Sequence, residues 1–228
     1  DEEAVPFERI LGPEIGKMLR EAHEETGVAF QLGTTVERFE GEEAVRRVVL
    51  KNGNTLEADL VVVGVGVAPN TGIFKDLRRE ADGGLKTDAC FRVAEDVYAA
   101  GDIAGVPDWR SGESFRIEHW RYAQQQGRDA ARNMAGKPSP NANVPFFWTK
   151  QANLGIRYVG HTRGWDEIIY SGDVASRNFV AFYARGGEVV AAAGCTRDKQ
   201  MAAILQRMQS KRMPPASEIR AGAVDFLR

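Results

Sequence analysis

Leu60-Val61-Val62-Val63 is a run with no polar position. Successive side chains of a strand face opposite ways, so an unbroken apolar run predicts a strand covered on both faces, as in the sheet of an α/β domain. The run leaves through Gly64-Val65-Gly66 into Ala68-Pro69-Asn70. A second short strand is predicted over residues 96–100 and ends in Gly101-Asp102. In open α/β sheets ligands bind in the crevice beyond the carboxyl ends of the strands. A glycine there lets the backbone come close to a ligand, and a carboxylate accepts hydrogen bonds from hydroxyl groups. The dipeptide alone says little, because Gly172-Asp173 repeats it between predicted antiparallel strands, where a turn suffices. At Asp102 the local pattern leaves both a turn and a ligand site open.

The rest of the chain divides around these strands. Residues 12–27 predict an amphipathic helix, with Pro13 in the first turn, Ile15, Met18, Leu19 and Ala22 on one face, and Gly27 as the stop. Residues 34–57 predict a β-meander with a hairpin turn at Asn52-Gly53. Residues 118–136 predict a helix whose stripe of Trp120, Ala123, Gly127, Ala130, Ala131 and Met134 would pack closely on a neighbour. The Pro/Asn/Ser stretch 137–145 predicts a linker. Beyond it, antiparallel strands with a Gly186-Gly187 hairpin, then a helix capped by Asp198, predict a small α+β unit.

Composition excludes several classes. The formal net charge of −2 offers no electrostatic footprint for nucleic acid or an acidic membrane. No apolar stretch approaches the roughly 20 residues that span a bilayer, and the first residues lack the pattern of a signal peptide. The expectation is a soluble, cytoplasmic protein. Cys90 and Cys195 are far apart and read as two buried thiols, and His23, His119 and His161 lack metal-ligand spacing. The chain opens on Asp1-Glu2-Glu3 without a methionine, so it is expected to be a fragment.

Four stretches, VVVGVGVAPNTGIF, GGLKTDACFRVAEDVYAAGDIA, RIEHWRYAQQQGRDAARNMAG and VPFFWTKQANLGIRYVG, occur in an order and spacing that resembles the C-terminal part of the FAD-dependent pyridine nucleotide oxidoreductases. The similarity is greatest to the apoptosis-inducing-factor-like and ferredoxin reductase branch, and within it to the third apoptosis-inducing-factor-like type. It implies an α/β fold made of part of a two-dinucleotide-binding-domain, Rossmann-like flavoreductase, followed by a small α+β C-terminal reductase domain. The implied limits are 1–66 for the NAD(P)-binding part, 67–140 for the FAD-binding part and 141–228 for the C-terminal domain. The implied cofactors are FAD and NAD(P)H. The implied partner is an iron-sulfur electron-transfer protein or domain, and a homodimer stays open.

The resemblance also implies site residues. Asp102, after Gly101, would hold a ribityl hydroxyl of FAD, which is compatible with capping its own turn. Gly66 would let the nicotinamide nucleotide lie against the backbone, or serve only as a strand exit. Glu118, His119 and Trp120 would sit by the flavin pyrimidine and the nicotinamide, at a helix start whose positive end favours the reduced ring. Trp120 and Trp148 read equally well as core aromatics, and Trp148 would line the flavin pocket. Asp1 would bind the adenosine ribose, or be one of a run of solvated acids. No residue is assigned an acid-base role, His119 included, because hydride transfer needs none.

No G-x-G-x-x-G opens a helix anywhere in the chain, so half of each implied nucleotide site is absent from it. Electron transfer from NADH through flavin to a ferredoxin or Rieske-type acceptor is therefore the activity implied for a longer parent, with this chain inactive alone. The alternatives are an NADH-responsive interaction protein and a monodehydroascorbate reductase.

Overall fold

The computed structural model describes residues 3–227. Helices α1 (Glu8–Leu11) and α2 (Pro13–Glu24) lead into a three-stranded antiparallel meander, β1 (Val36–Glu40), β2 (Arg47–Leu50) and β3 (Thr55–Glu57). Short strands follow: β4 (Leu85–Lys86), β5 (Arg92–Ala94), β6 (Val97–Tyr98), β7 (Ala104–Pro107) and β8 (Ser114–Phe115). Helix α3 (Trp120–Met134) precedes β9 (Phe146–Gln151), β10 (Leu154–Gly160), β11 (Glu167–Asp173), β12 (Asn178–Arg185) and β13 (Glu188–Cys195). Helices α4 (Asp198–Gln209) and α5 (Ala216–Arg220) close the order.

The last five strands form one antiparallel sheet in the order β11-β12-β13-β10-β9. Gly186 and Gly187, at φ +59° and +81°, make the tight β12–β13 turn the sequence predicts. The sheet is covered on both faces, and the strand period of two sorts the layers. Val180, Phe182 and Ala184 meet Met201, Ile204 and Met208 of α4 and Ile219 of α5. Phe179, Ala181 and Tyr183 meet Leu11, Ile15, Met18 and Leu19 of α1 and α2. The predicted apolar face of α2 is thus buried, and what buries it is the C-terminal sheet. Tyr183 donates a 2.9 Å buried hydrogen bond to the Leu11 carbonyl, and Arg177 pairs with Glu25.

Several expectations are corrected. Leu60–Val67 forms no strand and, apart from the half-buried Val61, is exposed, with Leu60, Val62 and Val65 at 81, 87 and 89%. No strand pairs with it among the described residues, and an apolar run without a neighbour has nothing to bury it. A strand buried on both faces does occur in β12, where Phe179 to Ala184 are all buried between the exposed Asn178 and Arg185. Among the described residues parallel pairing is limited to β4 with β7, and the strand before Gly101 shrinks to Val97–Tyr98, paired antiparallel with β5. On α3 the buried positions are Tyr122, Gln126, Asp129 and Ala130, while Trp120 and Met134 of the predicted stripe are exposed. Asp198 begins α4 without capping it, because Arg197 is the N-cap residue and the Asp198 carboxylate pairs with Arg157. Cys90 is only partly buried.

Candidate functional site

The Gly101-Asp102 turn is held by its backbone. Gly101 adopts φ +83°, a conformation that glycine reaches without a Cβ penalty. Its amide donates a 2.7 Å hydrogen bond to Oε1 of Gln126, which is fully buried on α3. Its carbonyl accepts from the Ala104 amide at 2.9 Å. Asp102 follows as an exposed residue whose carboxylate receives no hydrogen bond from the described residues. Its own turn therefore does not use the carboxylate as a cap, and both acceptor oxygens stay available.

Arg116 connects this turn to the segment before α3. Its Nη1 donates to the Asp102 carbonyl at 2.9 Å and to Oε1 of Glu118 at 2.6 Å, and its Nε donates to Oδ2 of Asp82 at 2.9 Å. The side chain is only 12% exposed. Burial works against ionising Asp82, but the Gly84 amide and the Arg116 guanidinium outweigh it and hold this carboxyl below the usual range.

His119, Trp120 and Trp148 form one aromatic group. The Trp120 and Trp148 rings meet edge to face with centroids 5.9 Å apart. His119 lies 5.8 Å from Trp120 and 6.0 Å from Trp148. Phe147, 5.9 Å from His119, continues the group into the C-terminal sheet by stacking on Tyr158. The start of α3 and strand β9 therefore build this wall together. Trp120 and Trp148 remain 59 and 47% exposed, so neither is the core aromatic of the simpler reading. Burial and the Arg121 cation hold His119 below its ordinary pKa, against the Asp102 charge. Its Nδ1 is buried without a hydrogen-bond partner among the described residues, and no side chain caps the first turn of α3.

The structure thus brings together Gly101, Asp102, Glu118, His119, Trp120 and Trp148. Gly66, at φ +91° and exposed, touches none of them, and an added Cβ there would meet nothing within 4 Å. Asp1 lies outside the described residues. Sequence reasoning missed Arg116, Gln126 and Phe147. Arg116 stands two residues before Glu118 and Gln126 one turn past Tyr122, and neither position breaks a hydropathy pattern.

Comparison with known proteins gives the family and the fold. The family model described as pyridine nucleotide-disulphide oxidoreductase matches residues 3–127, and that described as reductase C-terminal matches residues 146–227. Human apoptosis-inducing factor 3 is 34% identical over 215 residues, which cover 92% of this chain and 36% of that protein. The crystal structure of the ferredoxin reductase for the CYP199A2 system from Rhodopseudomonas palustris superposes with a TM-score of 0.89 at 28% identity, covering 98% of this chain and 56% of that one. The reductase in the covalent putidaredoxin reductase-putidaredoxin complex superposes with a TM-score of 0.87 at 29% identity, covering 98 and 57%. The chain therefore spans roughly a third to a little over half of these proteins, and it shares the mixed α/β reductase fold expected for it. It belongs to the pyridine nucleotide-disulphide oxidoreductase family.

Proposed function

We propose that these residues belong to an FAD-dependent NAD(P)H oxidoreductase that passes electrons from NADH to a one-electron acceptor, a ferredoxin or Rieske-type iron-sulfur protein. The observation that carries the reading is that Arg116 ties the backbone of Asp102, whose carboxylate is unpartnered, to Glu118, the residue directly before the His119-Trp120-Trp148 wall. The buried Nδ1 of His119 and the uncapped start of α3 leave polar groups for a ligand to satisfy.

Bound FAD supplies the capacity to take a hydride from a nicotinamide and release electrons singly. The chain's own part is binding and orientation. Asp102 accepts hydrogen bonds from the ribityl polyol, and Gly101 lets the backbone approach it. Glu118 and His119 would hold the flavin pyrimidine edge, where the amides at the start of α3 favour negative charge. Trp120 and Trp148 shield the ring system from water. Gly66 receives the nicotinamide nucleotide and Asp1 the adenosine ribose. The functional division runs 1–66, 67–140 and 141–228. With no G-x-G-x-x-G helix of its own, the 228-residue chain binds FAD poorly by itself.

The relatives named as a ferredoxin reductase and as a putidaredoxin reductase in covalent complex with putidaredoxin support the acceptor class. The full-length protein is the test object. It is expected to be yellow, to be bleached by NADH and to reduce ferredoxin faster than the ascorbyl radical. A colourless preparation that takes up no FAD contradicts the reading. Slow turnover with NADH-dependent oligomerisation points instead to an NADH-responsive interaction protein.

A further inference from the structure

Arg116 is a hub among loops that share no secondary structure. Its Nε reaches Asp82 in the Ala81–Gly84 loop, and its Nη1 reaches both the Asp102 carbonyl and Glu118. The Ala81–Gly84 loop is shaped to receive it. Asp82 Oδ1 accepts the Gly84 amide at 3.0 Å, and Gly83 turns at φ +85°. A Cβ on Gly84 would lie 2.7 Å from Cδ of Arg116, so only glycine lets the side chain pass. The same loop is tied back to the Pro69-Asn70-Thr71 segment, because the hydroxyl of buried Thr71 donates to the Gly83 carbonyl at 2.7 Å. One cation thus connects the exit of the Leu60–Val67 run, the Gly101-Asp102 turn and the acid before α3.

We propose that Arg116 is the positioning residue of the flavin site, fixing the Gly101-Asp102 turn and the Glu118 carboxylate in one frame; this rests on the flavin reading above. A planar guanidinium can serve three acceptors at fixed angles, which an ammonium cannot. Without it Glu118 and the Asp102 backbone lose their common partner, and the polyol and pyrimidine contacts are no longer held in register.

The test uses the full-length apoprotein, titrated with FAD and followed by flavin fluorescence and by the long-wavelength flavin absorption band. Charge-assisted hydrogen bonds of about 1.5–3 kcal/mol correspond to a roughly 10- to 100-fold weaker FAD affinity in Arg116→Met. Arg116→Lys restores the charge but only part of the affinity. Gly84→Ala, whose added methyl meets only Arg116 and its Asp82 partner, weakens affinity in the same direction by displacing the guanidinium. Glu118→Gln has less effect on the Arg116→Met background than on wild type, and the variants carry a shifted absorption band. If Arg116→Met fails to fold, Arg116→Lys and Gly84→Ala decide. Wild-type affinity and spectrum in these variants, or full additivity with Glu118→Gln, overturn the proposal while leaving the flavin reading intact. Absence of FAD binding by the wild type removes both.

Discussion

The Gly101 amide is satisfied by a single side chain, Gln126, at 2.7 Å inside the protein. A turn that carries an exposed carboxylate is thereby fixed from beneath by the middle of α3, eight residues along from the Glu118 that shares its guanidinium. Gln126→Leu leaves that buried amide without an acceptor and is expected to cost about 1–3 kcal/mol. Chemical denaturation measures the cost. Hydrogen exchange at Gly101 is expected to accelerate in the same variant.

Leu19 is fully buried between α2 and the C-terminal sheet. Leu19→Ala is expected to destabilise the protein by about 2–5 kcal/mol, and near-ultraviolet signals from Tyr158 and Tyr183 should be lost in the same transition. Retention of those signals after α2 has melted would show that the sheet folds without it.

His161 lies against Phe115 with ring centroids 4.6 Å apart, beside a cavity of about 150 Å³ bordered by Asp108, Arg110 and Arg163. Burial, aided by Arg110 and Arg163, lowers its pKa from 6.5 to about 4. Between those values the unfolded chain binds the proton and the folded one does not. Stability is therefore complete above about pH 6.5, falls as the pH drops towards 4, and levels off below it. The loss amounts to about 3 kcal/mol. Denaturation midpoints measured across this range are expected to flatten in His161→Gln.

The exposed Leu60–Val67 run predicts that the 228-residue chain binds an apolar fluorescent dye such as anilinonaphthalene sulfonate. Val62→Ser with Val65→Ser is expected to reduce that fluorescence and self-association. Stability should change by no more than about 0.5 kcal/mol, since neither side chain is buried.

What the sequence disclosed was local. Ile15, Met18, Leu19 and Ala22 are all buried as their spacing predicts, yet nothing in that spacing names the C-terminal sheet as the cover. Periodicity tells which side faces inward and says nothing of a partner more than a hundred residues away. The Leu60–Val63 run was misread for the same reason: a strand exists only when another lies beside it. On α3 the buried polar residues defeated the hydropathy stripe. Gln126 and Asp129 are tolerated inside because Gly101, Ser139 and Asn143 bond to them, and such pairings leave no periodic trace. The family resemblance singled out eight residues, of which the structure brings six together, but it passed over Arg116, whose contacts depend on three loops folding around it.

The most direct test of the proposed flavin site is FAD titration of the full-length apoprotein against its Asp102→Ala variant. The account predicts tight binding by the wild type and a roughly 10- to 100-fold loss in the variant, the equivalent of a charge-assisted hydrogen bond. Equal affinity in the two proteins would show that the carboxylate beyond Gly101 holds no flavin.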